Sequence, residues 1–129
     1  MNKILVEVSV GELLDKISIL EIKKEKIKDS DKLIFINDEY LVLAKQLDEN
    51  ITLNDQLKKL YEKLKAINTK LWDIEDNKRM CEKNSDFGEN FIKLSRDVHF
   101  LNDDRAKIKL AINDITGSKI KEIKQYTNY

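Results

Sequence analysis

Apolar positions recur at helical spacing along most of this chain, and only its beginning departs from that pattern. Ile4, Val6 and Val8 alternate with Leu5, Glu7 and Ser9, which predicts a short extended segment. Such a strand needs a partner, either the C-terminal tail or its own copy in an oligomer, because a lone strand is not stable. Ser9-Val-Gly-Glu12 then reads as a capping box, with the Ser side chain accepting from the amide three residues on and the Glu reaching back. A first helix follows over about 10–28. Leu13, Leu14, Ile17, Leu20 and Ile27 share one face, while Ile19 and Ile22 lie nearly opposite with Asp15 beside them. Two apolar faces predict a helix packed on two sides, which draws Asp15 inward.

Asp29-Ser30-Asp31 breaks the periodicity and supplies a new N-cap. A second helix is expected over 32–49, with Leu33, Ile36, Tyr40, Leu43 and Leu47 inward. Asn50 closes it, and Thr52-Leu-Asn-Asp55 caps the next. The third helix, 53–83, carries the clearest signal: Leu57, Leu60, Leu64, Ile67, Leu71 and Ile74 alternate steps of three and four, the seam of an antiparallel bundle or coiled coil. Asp86-Phe-Gly-Glu89 reads as the cap of a fourth helix over 87–116. Its seam is Phe87, Phe91, Leu94, Val98, Leu101, Arg105, Ile108, Ile112 and Ile115, and Gly117 stands where a C-terminal glycine belongs. The tail from Lys119 to Tyr129, with Ile120, Ile123 and Tyr126, fits either helix or strand. The expected fold is all-α: one domain, an antiparallel four-helix bundle built on a long helical hairpin, with a short N-terminal extended segment.

At ~1.5 Å per residue the third and fourth helices would run about 45 Å and the first two about 28 Å. The shorter pair covers only part of the hairpin, leaving its tip, with Ile74, Cys81, Phe87, Phe91 and Leu94, uncovered in a monomer. Exposed apolar surface of that size marks an interface, so a homo-oligomer is expected, most simply a two-fold dimer.

Composition narrows the classes further. Charged residues make up 37 % of the 129, against roughly 25 % in an average globular chain, yet 24 bases balance 24 acids. No basic run lacks interleaved acids, so a nucleic-acid partner is not expected. One cysteine cannot form an internal disulfide, and with one histidine it cannot build a Cys/His zinc site. No apolar run approaches the ~20 residues of a membrane span, and the N-terminus is charged too soon for a signal peptide. The expected location is the cytoplasm. Neither a cofactor nor a resident metal is implied.

Two features stand out as candidate chemistry. Arg105 occupies a seam position where an apolar residue is expected, and a buried guanidinium demands a partner. Its head either pairs with Asp15, Glu12 or Asp104, or binds a ligand. Beside the third helix's seam runs a second stripe, Asn68, Trp72, Glu75, Arg79 and Glu82, facing Ile92, Ser95, His99, Asn102 and Ala106 on the fourth. Folding the hairpin near residue 85 would bring Asn68 to Asn102, Trp72 to His99 and Glu75 to Ser95. Trp72, Glu75, Arg79, His99, Asn102 and Arg105 would then line a polar groove with an aromatic wall, the makings of a small-molecule site, or else a helix–helix edge whose polar groups satisfy one another. Glu12, Asp15, Lys16, Asp73, Asp76 and Glu82 form the accompanying structural polar cluster. The pairs Glu12/Asp15 and Asp73/Asp76 also have the one-turn spacing with which helical nucleotide hydrolases hold magnesium. Asp86-Phe87-Gly88 spells the kinase magnesium motif without the rest of a kinase's machinery and reads as a helix cap. Cys81, on the seam, reads as core.

These residues resemble an uncharacterised family of bacterial and phage proteins of about this length. Its opening Val-Ser-x-Gly-Glu-Leu-x-Asp-Lys stands here from Val8, and its Asn-x-x-Leu-Trp-Asp-Ile-Glu-Asp from Asn68 to Asp76. Asn102-Asp-x-Arg-Ala-x-Ile-Lys109, Ile112-Asn113, Gly117-Ser118 and Glu122-x-Lys-x-Tyr126 follow. Phe100 after His99 departs from the pattern, which places an aromatic one position earlier. The family has no established activity. The resemblance implies association with glycosyltransferase-type proteins of cell-surface polysaccharide synthesis, and so a glycosyltransferase partner. Three functional classes follow. The first is a non-catalytic assembly or accessory module, whose polar set forms internal salt bridges. The second is a small-ligand binder or helical enzyme, with Arg79 or Arg105 unpaired in a cavity. Chorismate mutases are comparable all-α bundles, though their sequence pattern is missing. The third is a magnesium-dependent nucleotide hydrolase, whose Glu12, Asp15, Asp73 and Asp76 would converge.

Overall fold

The computed structural model describes residues 2–120, 122–125 and 127. It is an all-α bundle of four helices: α1 (Val10–Lys26), α2 (Ser30–Asn50), α3 (Asp55–Lys83) and α4 (Glu89–Thr116). Local chemistry sets each boundary. Ser9 Oγ accepts from the Glu12 amide at the start of α1. Asp29 Oδ1 accepts from the Asp31 and Lys32 amides ahead of α2, and Asn54 Oδ1 from the Leu57 amide ahead of α3. Gly117 closes α4 in the left-handed conformation, φ 66°, where a residue without Cβ is unstrained.

Glu12 meets Lys109 and Asp15 meets Arg105, so α1 runs antiparallel to α4. It runs parallel to α3, which makes the long hairpin with α4. α1 is the hub: its backbone lies against those of α2, α3 and α4, whereas among the described residues the α2 backbone comes close to that of α1 alone and reaches the shared core through side chains such as Leu47. Leu14 and Ile17 of α1 join Leu47, Leu57, Leu64 and Ile112 in one core. On another side of α1, Glu21 accepts from the Tyr61 hydroxyl and from Lys65, and Lys65 also reaches Glu25. Burial, reinforced by the bond to Glu21, pushes the Tyr61 hydroxyl's pKa far up, so Tyr61 stays protonated and keeps a proton to donate to Glu21.

Several sequence expectations are corrected. No β-strand forms among the described residues. Ile4, Leu5 and Val6 are almost fully exposed, because no neighbouring segment offers the backbone partners a strand requires. Described tail residues after Ser118 are neither helix nor strand, and Tyr126 lies outside the described residues. The Glu12 side chain does not complete the capping box; it turns to Lys109. Asp86 does not cap α4 directly: its Oδ1 accepts from Gly88 N one step earlier, and Gly88 holds the N-cap position. Ile115 is exposed rather than inward. The hairpin tip also covers itself more than expected. Ile74 and Cys81 are buried, Phe91 and Leu94 half-buried, and Phe87 packs edge-on against Phe91 with centroids 5.5 Å apart. Met80, Phe87 and Ile92 remain exposed there.

Gly11 sets how closely α1 approaches α4. A Cβ at this position would stand 2.6 Å from the Lys109 carbonyl oxygen and 3.0 Å from Asn113 Oδ1, inside contact distance. The space is needed because the Gly11 amide, unsatisfied within its own helix, donates to Asn113 Oδ1 at 2.7 Å, and the Val10 amide donates to Ser118 Oγ. The end of α4 therefore caps the start of α1. Gly11→Ala should force the two backbones apart at a cost of about 1–3 kcal/mol, read as a lower urea midpoint with helical circular dichroism retained; an unchanged midpoint would refute this account of the approach.

Candidate functional site

Asp15, on the first turns of α1, is 1 % exposed, and a carboxylate at that depth must be fully partnered. Arg105 meets it as a fork: Nε donates to Oδ1 at 2.9 Å and Nη2 donates to Oδ2, the bidentate geometry that suits a guanidinium to a carboxylate. Asn68 Nδ2 of α3 donates to the same Oδ1 at 2.9 Å and to Ser18 Oγ at 2.8 Å, and that hydroxyl donates back to the Asp15 carbonyl. Lys109 Nζ stands 3.9 Å from Asp15 Oδ2, 2.7 Å from Glu12 Oε2 and 3.3 Å from Glu122 Oε2. Burial alone would raise the Asp15 pKa. The bonds from Arg105 and Asn68, with the charges of Arg105 and Lys109, outweigh it and hold the carboxyl below its ordinary 3.8. Arg105 and Lys109 are in turn held in their charged forms. No buried side-chain nitrogen or oxygen among the described residues lacks a hydrogen-bond partner.

Beside this network lies a groove of about 380 Å³ lined by Ile19 and Ile22 of α1, by Asn68, Leu71, Trp72, Glu75, Asp76 and Arg79 of α3, and by Arg105. Trp72 is half-buried; Glu75, Asp76 and Arg79 are exposed at the rim. These three make no ion pair or side-chain hydrogen bond with another described residue. The floor is therefore a neutralised Asp15–Arg105 pair, one wall is aliphatic and aromatic, and the rim offers two acceptor carboxylates and one donor guanidinium.

The residues singled out from the sequence divide into three sets. Trp72, Glu75, Arg79 and Arg105 share the groove, and Asp76 joins them. His99 does not: it is exposed on α4 with its ring 4.6 Å from that of Phe100. Asn102 stays near Arg105, whose Nη1 approaches its Oδ1 at 3.4 Å. The expected hairpin register holds, with Lys70, Asp73 and Ile74 beside Asp97, Phe100 and Leu101, but the expected face does not. Residues 99 and 105 point about 120° apart on a helix. Once Arg105 turns to Asp15, His99 must turn away, and the groove's second wall is α1 rather than α4. Of the polar cluster, Glu12 and Asp15 join the buried network, and Lys16 lies 3.9 Å from Glu12 at the surface. Asp73 faces Lys26 at 3.7 Å, exposed, and Glu82 is exposed near the end of α3.

Among the described residues no three His, Cys, Asp or Glu side chains stand close enough to hold a metal ion. Glu12, Asp15, Asp73 and Asp76 do not converge, which removes the geometric basis for the magnesium reading. A larger cavity of about 600 Å³ lies between α4 and the tail, walled by Ser9, Lys109, Asn113 and Glu122. Its principal polar groups already satisfy one another, so it has less to offer a ligand than the Trp72 groove. The sequence reading gave Gly11, Lys109 and Asn113 no role in the site beyond their places in the capping box and the family motifs, and it passed over Ser18. The helical spacing of Arg105 and Lys109 toward Glu12 and Asp15 could have signalled Lys109.

A four-helix bundle with a hub helix, a buried ion network and an adjoining open groove defines the class of this protein. It belongs to a family of unknown function, DUF6165, whose model matches residues 4–129. No curated protein and no solved structure matches the chain. No helix among the described residues is long and apolar enough to cross a membrane.

Removing Arg105 leaves the Asp15 charge buried with only Asn68 and the more distant Lys109 beside it. Arg105→Ala should therefore lower stability by about 3–5 kcal/mol, measured by denaturant unfolding; a loss below ~1 kcal/mol would mean the pair is not structural. Because the folded-state pKa of Asp15 lies below the unfolded value, its contribution is complete above about pH 4 and is lost as pH falls through the folded pKa. Asp15→Asn should flatten the acid limb of the stability curve, and an unaltered limb would assign acid unfolding to other carboxyls.

Proposed function

We propose that this protein is a cytoplasmic, non-catalytic helical module that binds a small, ring-bearing, hydroxyl-rich ligand, such as a sugar moiety, in the Trp72 groove and works as a homo-oligomer. One observation carries the reading: Glu75, Asp76 and Arg79 stand around Trp72 in one groove with no ion pair or side-chain hydrogen bond to another described residue, whereas Asp15, Arg105 and Lys109 beneath them are fully engaged. Sugar hydroxyls donate and accept, matching a rim of carboxylates and a guanidinium, while the ring packs against an aromatic wall. Two carboxylates against one guanidinium leave the rim with a net charge of −1, which disfavours a strongly anionic ligand.

The state of the reactive groups supports binding over catalysis. Asp15 is held ionised with both oxygens engaged, which leaves it a poor base, and Lys109 is held protonated, which leaves it no nucleophilic amine. Cys81 is buried near the far end of the hairpin. The family resemblance adds a partner class to this reading, a glycosyltransferase-type enzyme of surface-polysaccharide synthesis, to which the module would be accessory.

Trp72 is the only tryptophan, so intrinsic fluorescence reports on the groove directly. Titration with monosaccharides, disaccharides and nucleotide sugars should produce a saturable change with one class, and Arg79→Ala should abolish it without lowering the melting temperature, since Arg79 has no ion-pair or hydrogen-bond partner among the described residues. Flat titrations across all three classes would overturn the ligand reading.

A further inference from the structure

α2 presents apolar side chains on two opposite sides, and only one is covered. Leu33, Ile36, Tyr40, Leu43 and Leu47 turn toward the bundle. On the far side Ile34 is 60 % exposed, Phe35 77 %, Leu41 65 % and Val42 62 %. α1 carries two apolar faces as well, but α3 and α4 bury them; nothing within the described chain does this for α2. Helices apolar on both sides are interior elements, and four large exposed apolar side chains in two pairs about two turns apart on one face mark an interface.

The layout of that face identifies its occupant. At about 100° per residue, Ile34 and Leu41 form one row and Phe35 and Val42 a second. Asp31, Asp38 and Lys45 run between them, each seven residues from the next. A two-fold axis through residue 38 that sets two α2 helices antiparallel maps this pattern onto itself. Ile34 then meets the other copy's Leu41, Phe35 its Val42, and Asp31 its Lys45. An isologous interface requires this self-complementarity of shape and charge. Lys45 is available for the exchange, because its intrachain contact with Glu49 is a solvent-exposed one at 3.8 Å. Asp38 falls on the axis opposite its own copy, a like-charge contact that limits affinity.

We infer that the outer face of α2 is the homodimer interface, with two copies packed antiparallel about Asp38. This rests on the self-association proposed above and names its surface, replacing the hairpin tip, whose Ile74 and Cys81 are already buried.

Sedimentation equilibrium of the full chain across a concentration series tests it, with far-UV circular dichroism to establish that each variant is folded; the substituted side chains point outward, so the monomer fold does not depend on them. Phe35→Glu should weaken dimerisation by roughly tenfold or more. Asp31→Lys should weaken it, and adding Lys45→Asp should recover it, a rescue that only the antiparallel register supplies. Asp38→Asn should tighten it. A monomer at every concentration would overturn both the face and self-association, leaving another protein as the partner of α2. A dimer indifferent to Phe35→Glu would overturn the face alone, and a failed double-charge rescue would overturn the register.

Discussion

Burial of one carboxylate on the hub helix constrains most of this structure. Asp15 sits where α1, α3 and α4 meet, and water is excluded there. An ionised group in that position is tolerable only if every neighbouring helix contributes a donor at the right height and rotation. α4 contributes Arg105 and Lys109, α3 contributes Asn68, and α1 itself contributes the Ser18 hydroxyl that links Asn68 back to the backbone. A hydrophobic seam alone permits helices to slide or rotate by a step at little cost. A bidentate fork does not, because a shift of one residue leaves the carboxylate bare. The network therefore acts chiefly on register: losing it costs far more than its net gain over an apolar core of the same volume.

The groove is a by-product of that choice. Directing Arg105 at Asp15 fixes the rotation of α4, turns His99 about 120° away onto the exposed surface, and leaves Trp72 facing the aliphatic flank of α1. It also neutralises the groove's floor, so in the proposed ligand site recognition would fall to Trp72 and to Glu75, Asp76 and Arg79 at the rim. Structural and proposed binding residues are thus neighbours within one stretch of α3: Asn68 holds the bundle together, and Trp72, Glu75, Asp76 and Arg79, one to three turns further on, face the open groove. Substitutions at Asn68 and at Arg79 report on different properties even though both lie along the same groove.

Close approach of backbones complements the ion network at the other end of α1. Gly11 lets the start of α1 lie against α4, and Asn113 and Ser118 take the amides that the helix start leaves unpaired. Together the two devices tie the chain's first helix to its last, and they leave α2 as the most loosely integrated element, joined to the rest through α1. A helix attached on one side and apolar on the other is well placed to carry the contact between copies.

Periodicity by itself determined the all-α class, the four helices to within two residues of either end, and the seam of α3, because helical spacing and capping residues are local properties. The same local logic made Arg105 conspicuous and drew Asp15 inward. It misjudged what depends on distant partners. Alternation at Ile4, Val6 and Val8 signals a strand only where another segment supplies the hydrogen bonds, and none of the described residues does. Pairing stripes across a hairpin gives the correct register but not the rotation of each helix, so His99 was assigned to a groove it does not enter. That rotation was decided by a third helix: α1 brought Asp15 between α3 and α4, and the cost of burying its charge unpaired selected which side chains face inward and which line the open groove.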